Sequence, residues 1–562
     1  MSSARADAQT DPKERGVWGK EIAVEELGGV PFRMYTQRPR RVEQLLTFAR
    51  RWGTRPHLIQ GERVLSFDEL HKAIETKAAE LVTLGAVNGG RVFILGWNSP
   101  EWVVNFWACL RAGAVPVLAN AWWSSAELST GLEALQPVLT LADERVAPRM
   151  PAGWRLGPWG IDGAPPAHKV LPHLDQGSQD EEQTALIIFT SGTSGQAKAV
   201  VLSHRAVLAR LHMTLHITRK LPQQIDESKQ ELQHELQHEL QQDPQRDITL
   251  ITGPLFHVGG MQTLLRAVVV GDTLALSGGR YDPAEVLAMI EGHKVKRWNA
   301  VPTMVSRLLD HPDVARRDLS SLQSISIGGA PVHADLMLRM RTRLPGVSPR
   351  IPTGYGLTEN GGQATAAAGT EDIEKLGSTG RPLPCVEVRF LAHPGLPDGE
   401  ILLRSPTQMS GYFGLTESPI DQEGWLYTGD LGRLDDQGNL WITGRCKDMI
   451  IRGGENIAPV AIESALTALP GVIEAAVFGV PHPDLGEEVM AVVCVAGNVT
   501  ALQLTEQLRP KLASFAIPSR WLLQNEPLPT NQTGKVDKTL LAAQARAALA
   551  NLFSSDTTTP RH

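Results

Sequence analysis

Cysteine is scarce and scattered: Cys109, Cys385, Cys446 and Cys494 are the only four, and no C-x-x-C pair exists among them. That excludes a disulfide framework, speaks against a zinc site and fits a reducing, cytoplasmic setting. Basic residues are not in excess, since 54 Lys and Arg against 61 Asp and Glu leave a net charge of -7 and a pI near 6.2. No global positive field therefore invites nucleic acid or an anionic membrane. Residues 1–16 are polar and lack the apolar core of a signal peptide, so they read as a loose tail. No apolar run is long enough to make an integral membrane segment; 105–123 comes nearest, but it carries Arg111 and ends in polar residues.

What the chain has is length and alternation. Its 562 residues are enough for more than one domain and large buried cores. Helical spacing over 42–51, 67–84 and 101–112 alternates with short apolar runs at 92–95, 114–118, 139–141, 250–251, 274–276 and 325–327. This rhythm predicts an α/β fold whose large N-terminal part is built of mostly parallel sheets with helices. Beyond Pro382 the texture changes to short strands (387–391, 400–403, 440–443) between Gly- and Asp-rich turns, a small β-rich subdomain. After Arg445 a smaller α/β unit follows, with a helix at 460–469 and strands at 475–480 and 490–495.

The stretch Phe189-Thr-Ser-Gly-Thr-Ser-Gly-Gln-Ala-Lys-Ala-Val200 follows an apolar strand, Thr184 to Ile188, and precedes a helix near Arg205 that Ser203 is placed to cap. Glycines let the backbone turn close to a ligand, hydroxyls donate to phosphate oxygens and lysine offsets their charge. The stretch reads as a polyphosphate-holding loop, although it is not G-x-x-x-x-G-K-[ST], because Ala197 and Ala199 flank Lys198. Residues 230–242, QELQHELQHELQQ, repeat every four residues. They include His234-Glu-Leu-Gln-His238, the zinc-protease pattern H-E-x-x-H, but the repeat generates that match by itself and no third ligand lies nearby. A solvated helical insertion is the expectation there.

Further motifs follow in a fixed order: Pro254-Leu-Phe-His-Val-Gly-Gly260, Ile327-Gly-Gly-Ala-Pro-Val332, Thr353-Gly-Tyr-Gly-Leu-Thr-Glu359 and Tyr427-Thr-Gly-Asp430. Then come Gly444-Arg-Cys-Lys-Asp-Met-Ile-Ile-Arg-Gly-Gly-Glu-Asn-Ile457 and Pro529-Thr-Asn-Gln-Thr-Gly-Lys-Val-Asp-Lys538. Taken singly, Tyr355 reads as core, Asp430 as a turn residue, and Arg445 and Lys535 as surface cations. The ordered set resembles the adenylate-forming superfamily of acyl-CoA synthetases, luciferase-like enzymes and peptide-synthetase adenylation domains, over roughly 42 to 540.

The resemblance implies an N-terminal AMP-binding domain over 42–446, after a tail and lead-in over 1–41, with an insertion at 218–246. It implies a small mobile C-terminal domain over 447–545 and a tail over 546–562. The implied reaction has two steps, from a carboxylic acid and ATP to acyl-AMP, then to a thioester with CoA as the usual acceptor. Thr190, Ser191, Gly192, Thr193, Ser194, Gly195 and Lys198 would hold phosphates. Thr358 would touch phosphate, and Glu359 would ligate Mg²⁺, a hard cation that takes oxygen ligands. Gly329, Ala330 and Tyr355 would flank adenine, and Asp430 with Arg445 would meet the ribose. Lys535 would bridge carboxylate and α-phosphate, and Lys447 would be the hinge. Arg452, Gly453, Gly454 and Glu455 would meet CoA after the small domain rotates.

An acyl pocket would be lined near His257, Gly260 and Gly361, with small residues leaving room for a hydrophobic acid, foremost a medium- or long-chain fatty acid. An aromatic or cyclic acid is the alternative, as is a carrier-protein thiol in place of CoA. Ser194, Ala197 and Ala199 depart from the family's Thr, Pro and Gly; one hydroxyl is kept and some stiffness is lost. Oligomeric state leaves no mark in the sequence.

Overall fold

Two largely parallel sheets carry the first three quarters of the chain, because their strands are apolar on both faces and helices cover both sides. The computed structural model describes residues 18–161, 171, 180–190, 197–223, 247–329, 332, 334–348, 351–367, 378–392, 398–531 and 534–555. The first sheet runs Gly411–Tyr412, Lys198–Ser203, Thr184–Thr190, Val115–Ala119, Arg91–Leu95, Leu139–Ala142, Leu156–Gly157. Only its first two pairings are antiparallel. Val92, Phe93, Ile94 and Leu95 are all fully buried, which is why this strand reads as a continuous apolar run. The second sheet orders Ser324–Ile327, Arg297–Ala300, Ile248–Ile251, Thr273–Leu276, Pro56–Gln60 and Arg63–Ser66, antiparallel only at its last pair.

Helix starts follow their caps. Ser66 and Glu69 form a capping box before Phe67–Thr83, Ser99 caps Pro100–Arg111, and Ser203 accepts from the Ala206 amide to start His204–Ile217. The helix expected over 42–51 is broken into a 3-10 turn Val42–Leu45, one α turn Leu46–Ala49 and a second 3-10 turn Arg50–Trp52. Gly53, at φ 57°, stops it, while Val42, Leu45, Leu46 and Trp52 keep the buried face that the periodicity showed. Residues 22–35 form a hairpin, Ile22–Leu27 with Val30–Tyr35, turned at Gly28 and Gly29. Arg38 ties its end down through Glu25 and Glu181.

The expected β-rich subdomain is an antiparallel sheet of Glu387–Leu391, Gly399–Arg404, Leu426–Leu434 and Leu440–Arg445. After it a five-stranded sheet joins Glu455–Ile457, Ile450–Arg452, Gly486–Val495 and Val472–His482, with Arg520–Gln524 parallel to Gly486–Val495. Along Val472–His482 the side chains alternate between two cores. Val477 faces Ile462, Leu466 and Leu504, while Ala476 and Phe478 face Leu528 and Leu541. Among the described residues no helix is long and apolar enough to cross a membrane. The expected tail at 1–16 and the repeat at 230–242 lie outside the described residues.

Candidate active site

The site forms where strand ends and tight turns from distant parts of the chain converge. Lys198 opens a strand rather than ending a loop, and it stands opposite Thr190 in the antiparallel register of the two strands. Ser191, Gly192, Thr193, Ser194 and Gly195 lie outside the described residues. The Lys198 ammonium sits 4.7 Å from the ring centre of Tyr412, a cation–π contact. The Tyr412 hydroxyl in turn donates to Glu359 Oε1 at 2.9 Å. Burial first, and the Glu359 carboxylate second, push the Tyr412 phenol well up from its usual range. Tyr412 thus links the expected phosphate lysine to the expected metal ligand. The sequence reading missed it because its short strand, Gly411–Tyr412, carries no periodicity of its own.

Glu359 lies with Thr358 on a single 3-10 turn, Thr358–Asn360, that Gly361 closes at φ 61°. A Cβ on Gly361 would stand 2.5 Å from the Thr407 carbonyl oxygen, and one on Gly260 would stand 2.4 Å from that of Pro254. Both glycines are therefore demanded by backbone crowding, whatever space they border. The second oxygen of Glu359 takes no bond from a described residue. One constrained and one open oxygen fit Mg²⁺, which takes one or two carboxylates and fills the rest of its shell with phosphate and water.

Deeper in, Asp430 is buried at 5% exposure and receives two donors. Tyr355 donates its hydroxyl to Oδ2 at 2.7 Å, and Arg445 donates Nε to Oδ1 at 2.8 Å. Arg445 is the direct cross-strand neighbour of Asp430, so the sheet register itself makes that pair. Burial and the adjacent carboxylate hold the Tyr355 phenol far above its ordinary range, so it stays a donor. Each Asp430 oxygen keeps a lone pair for another donor.

Lys535 reaches this centre from the small C-terminal unit. A Cβ on Gly329 would stand 3.4 Å from Lys535 Cε and 3.9 Å from Nζ. Gly329 is at φ 82° at the end of the Ser324–Ile327 strand, and Ala330 lies outside the described residues. The hairpin carrying Lys535 is docked by Thr303, whose hydroxyl donates to the Gly534 carbonyl, and by Arg307 Nη2 to the Leu528 carbonyl at 3.1 Å. Within the hairpin, Asn531 Oδ1 accepts from the Lys535 amide. Burial and the like charge of Arg445 lower the Lys535 pKa, with Asp430 opposing them. His257, ahead of the Val258–Val270 helix, is drawn down to about 4 by burial and by Lys535, so it is neutral at pH 7. The centre concentrates cations around one buried carboxylate, an arrangement suited to a polyanion.

The expected hinge follows Arg445 by two residues, and the expected CoA residues lie on a turn of the C-terminal unit. Lys447 is exposed on the 3-10 turn Cys446–Asp448 that joins the antiparallel sheet to the C-terminal unit. Arg452 and Glu455 face each other across a two-residue turn, Gly453 and Gly454, at φ 60° and 90°. The turn is exposed and held by its own unit, through the Gly453 amide to the Leu485 carbonyl at 2.8 Å. A cavity of about 1030 Å³ lined by Gln60, Glu101, Asp143, Trp159 and His293 includes none of the site residues.

The chain matches the AMP-binding enzyme family over residues 45–413 and the AMP-binding enzyme C-terminal domain over 461–535. It is 33% identical over 511 residues to a 3-[(3aS,4S,7aS)-7a-methyl-1,5-dioxo-octahydro-1H-inden-4-yl]propanoyl:CoA ligase of Mycobacterium tuberculosis, covering 86% of this chain and 94% of that one. The long-chain-fatty-acid–CoA ligase FadD13 of Mycobacterium tuberculosis is 29% identical, over 85% of this chain and 92% of its own. Among solved structures, the o-succinylbenzoate coenzyme A synthetase (MenE) of Bacillus subtilis, in complex with ATP and magnesium ion, is 28% identical. It superposes with a TM-score of 0.72 over 89% of this chain and 99% of that one.

Proposed function

Because the chain belongs to the AMP-binding enzyme family, as an AMP-forming acid–CoA ligase, we propose that it activates a hydrophobic carboxylic acid through an acyl-adenylate to the acyl-CoA. The observation that carries the reading is Lys535 lodged against Gly329 beside the Tyr355–Asp430–Arg445 cluster, residues far apart in the chain brought together. In the first step a carboxylate oxygen of the acid attacks the α-phosphorus of ATP and pyrophosphate leaves. Lys535 bridges the two anions and offsets the charge that develops between them. Asp430 accepts from the ribose hydroxyls, with Tyr355 and Arg445 fixing its orientation. Thr190, Lys198 and Thr358 hold the phosphates, and Glu359 holds Mg²⁺, which supplies further charge neutralisation when bound.

In the second step the CoA sulfur attacks the acyl carbonyl and AMP leaves. Lys535 must then withdraw, and rotation about Lys447 brings Arg452, Gly453, Gly454 and Glu455 to the site. Two docking bonds to main-chain carbonyls, from Thr303 and Arg307, are a modest hold that such a rotation can release. The relatives are named for a long-chain fatty acid and for ring-bearing acids, which supports a hydrophobic acid as the class.

The test is pyrophosphate release with ATP and Mg²⁺ across a panel of acids, with and without CoA. Acid-dependent release with acyl-CoA formed is expected. Release that never yields acyl-CoA would move the acceptor to a carrier-protein thiol, and no release with any acid would overturn the reading.

A further inference from the structure

Three arginines of the described chain are buried, and two of them are paired. Arg38 meets Glu25 and Glu181, and Arg205 meets Glu182. Arg210, 6% exposed on the His204–Ile217 helix, has no carboxylate within ion-pair distance among the described residues. Its Nη1 donates to the Thr214 hydroxyl and its Nη2 to Gln363 Oε1 at 2.6 Å, both neutral acceptors. Its Nε is buried with no partner among the described residues. Burial draws the guanidinium down to about 10 with no anion opposing it, so at pH 7 the group is still charged. A cation taken out of water without a counter-charge is costly.

Its surroundings point to a use. A Cβ on Gly362 would stand 3.7 Å from Arg210 Nε and 3.4 Å from Val258 Cγ2, so the glycine leaves both side chains facing its bare backbone. Val258 follows His257, the residue that feels the charge of Lys535. The Val258–Val270 helix packs on both the Arg210 helix and the Gly362–Gln363 strand. The wall from His257, which feels the charge of Lys535, through Val258 to Gly362 therefore ends at Arg210 Nε. An acid whose carboxylate lies at Lys535 would direct its far end along this wall toward Arg210.

We propose that Arg210 is a specificity-determining residue, and that the acid carries a second oxygen acceptor, a carboxylate or a ketone, remote from the carboxyl group that is adenylated. This rests on the reading above, and it narrows the substrate class from any hydrophobic acid to one with a polar far end. The second group accepts from the Arg210 Nε–H; a carboxylate also supplies the missing charge. A pocket built to hydrogen-bond a substrate discriminates strongly against the analogue that leaves its own polar group unpaired.

The experiment measures kcat and KM by pyrophosphate release for matched straight-chain and ring-bearing acids. Each acid is offered with no further oxygen, with a ketone at the far end, or with a second carboxylate there. The expected result is a kcat/KM for the ketone or dicarboxylic members at least about tenfold above the unsubstituted acid, with the better of the two identifying the acceptor. Arg210→Met is expected to bring that ratio to about one through KM, and Arg210→Lys to restore part of it. The wild-type ranking stands by itself if the methionine variant fails to fold. Wild-type preference for the unsubstituted acids overturns the proposal, as does a loss in Arg210→Met that is equal for every acid. No release with any acid overturns the adenylation reading beneath it, a result distinct from release without preference.

Discussion

Tyr355→Phe isolates one hydrogen bond at the centre of the site. The ring stays, and only the hydroxyl that donates to Asp430 Oδ2 at 2.7 Å is lost. Asp430 is 5% exposed, so the freed lone pairs are not simply rehydrated, and among the described side chains Arg445 on Oδ1 is left as the one donor to its carboxylate. Removing a hydrogen bond to a buried charged group costs about 1.5–3 kcal/mol. At 1.4 kcal/mol per factor of ten, that weakens the oriented carboxylate by about 10- to 150-fold. Because the carboxylate is proposed to hold the ribose in both half-reactions, the loss is expected in KM for ATP and in KM for supplied acyl-AMP alike. At saturating nucleotide, kcat should change far less. The assay is pyrophosphate release against ATP concentration, paired with thioester formation from supplied acyl-AMP. A variant whose ATP KM stays within about twofold of wild type while kcat falls would refute the reasoning, since Asp430 would then not be a nucleotide acceptor.

Lys535→Ala should lower acyl-AMP formation by about 10²–10³-fold, the usual cost of one charge-stabilising donor, and spare thioester formation from supplied acyl-AMP. Equal loss in both half-reactions would remove the assigned role. Gly454→Trp and Gly454→Ala share the strain of a side chain at φ 90°, about 1–2 kcal/mol, but only the tryptophan adds bulk. Thioester formation should fail with tryptophan alone while pyrophosphate release continues in both; equal behaviour of the two variants would dismiss a narrow CoA path. His57, fully buried with Nδ1 against the Asp272 carbonyl, is drawn down to about 4 by burial. Below pH 6.5 the unfolded chain takes a proton that the folded chain refuses, so stability falls as acid is added until about pH 4. His57 alone accounts for about 2 kcal/mol of loss by pH 5. Urea unfolding at pH 7 and pH 5 measures it, and an undiminished pH slope in His57→Phe would refute the assignment.

Local chemistry was legible in the sequence and long-range pairing was not. The parallel strands stood out because burial on both faces leaves continuous runs such as Val92 to Leu95. The 22–35 hairpin did not, because its strands are half exposed and interleaved with Glu25, Glu26 and Arg33; only Gly28 and Gly29 marked it. The motifs around Thr190, Glu359, Asp430 and Lys535 were visible because each packs its glycines and polar groups within a few residues. That Tyr355 would hold Asp430 from 75 residues away was not visible, and neither was the link from Lys198 through Tyr412 to Glu359.

Glycine shows the limit most sharply. Gly260 and Gly361 read as room for a substrate, and Gly362 beside them looks no different in the sequence. In the fold the first two are small because a carbonyl oxygen stands within 2.5 Å of the missing Cβ. At Gly362, itself held at φ 118°, the missing side chain faces no backbone atom but the side chains of Val258 and Arg210. Composition cannot separate a glycine forced by its own backbone from one kept clear for a ligand. What the absent carbon would have touched makes part of that separation; since the backbone at φ 118° already asks for glycine at 362, the proposed specificity rests on Arg210.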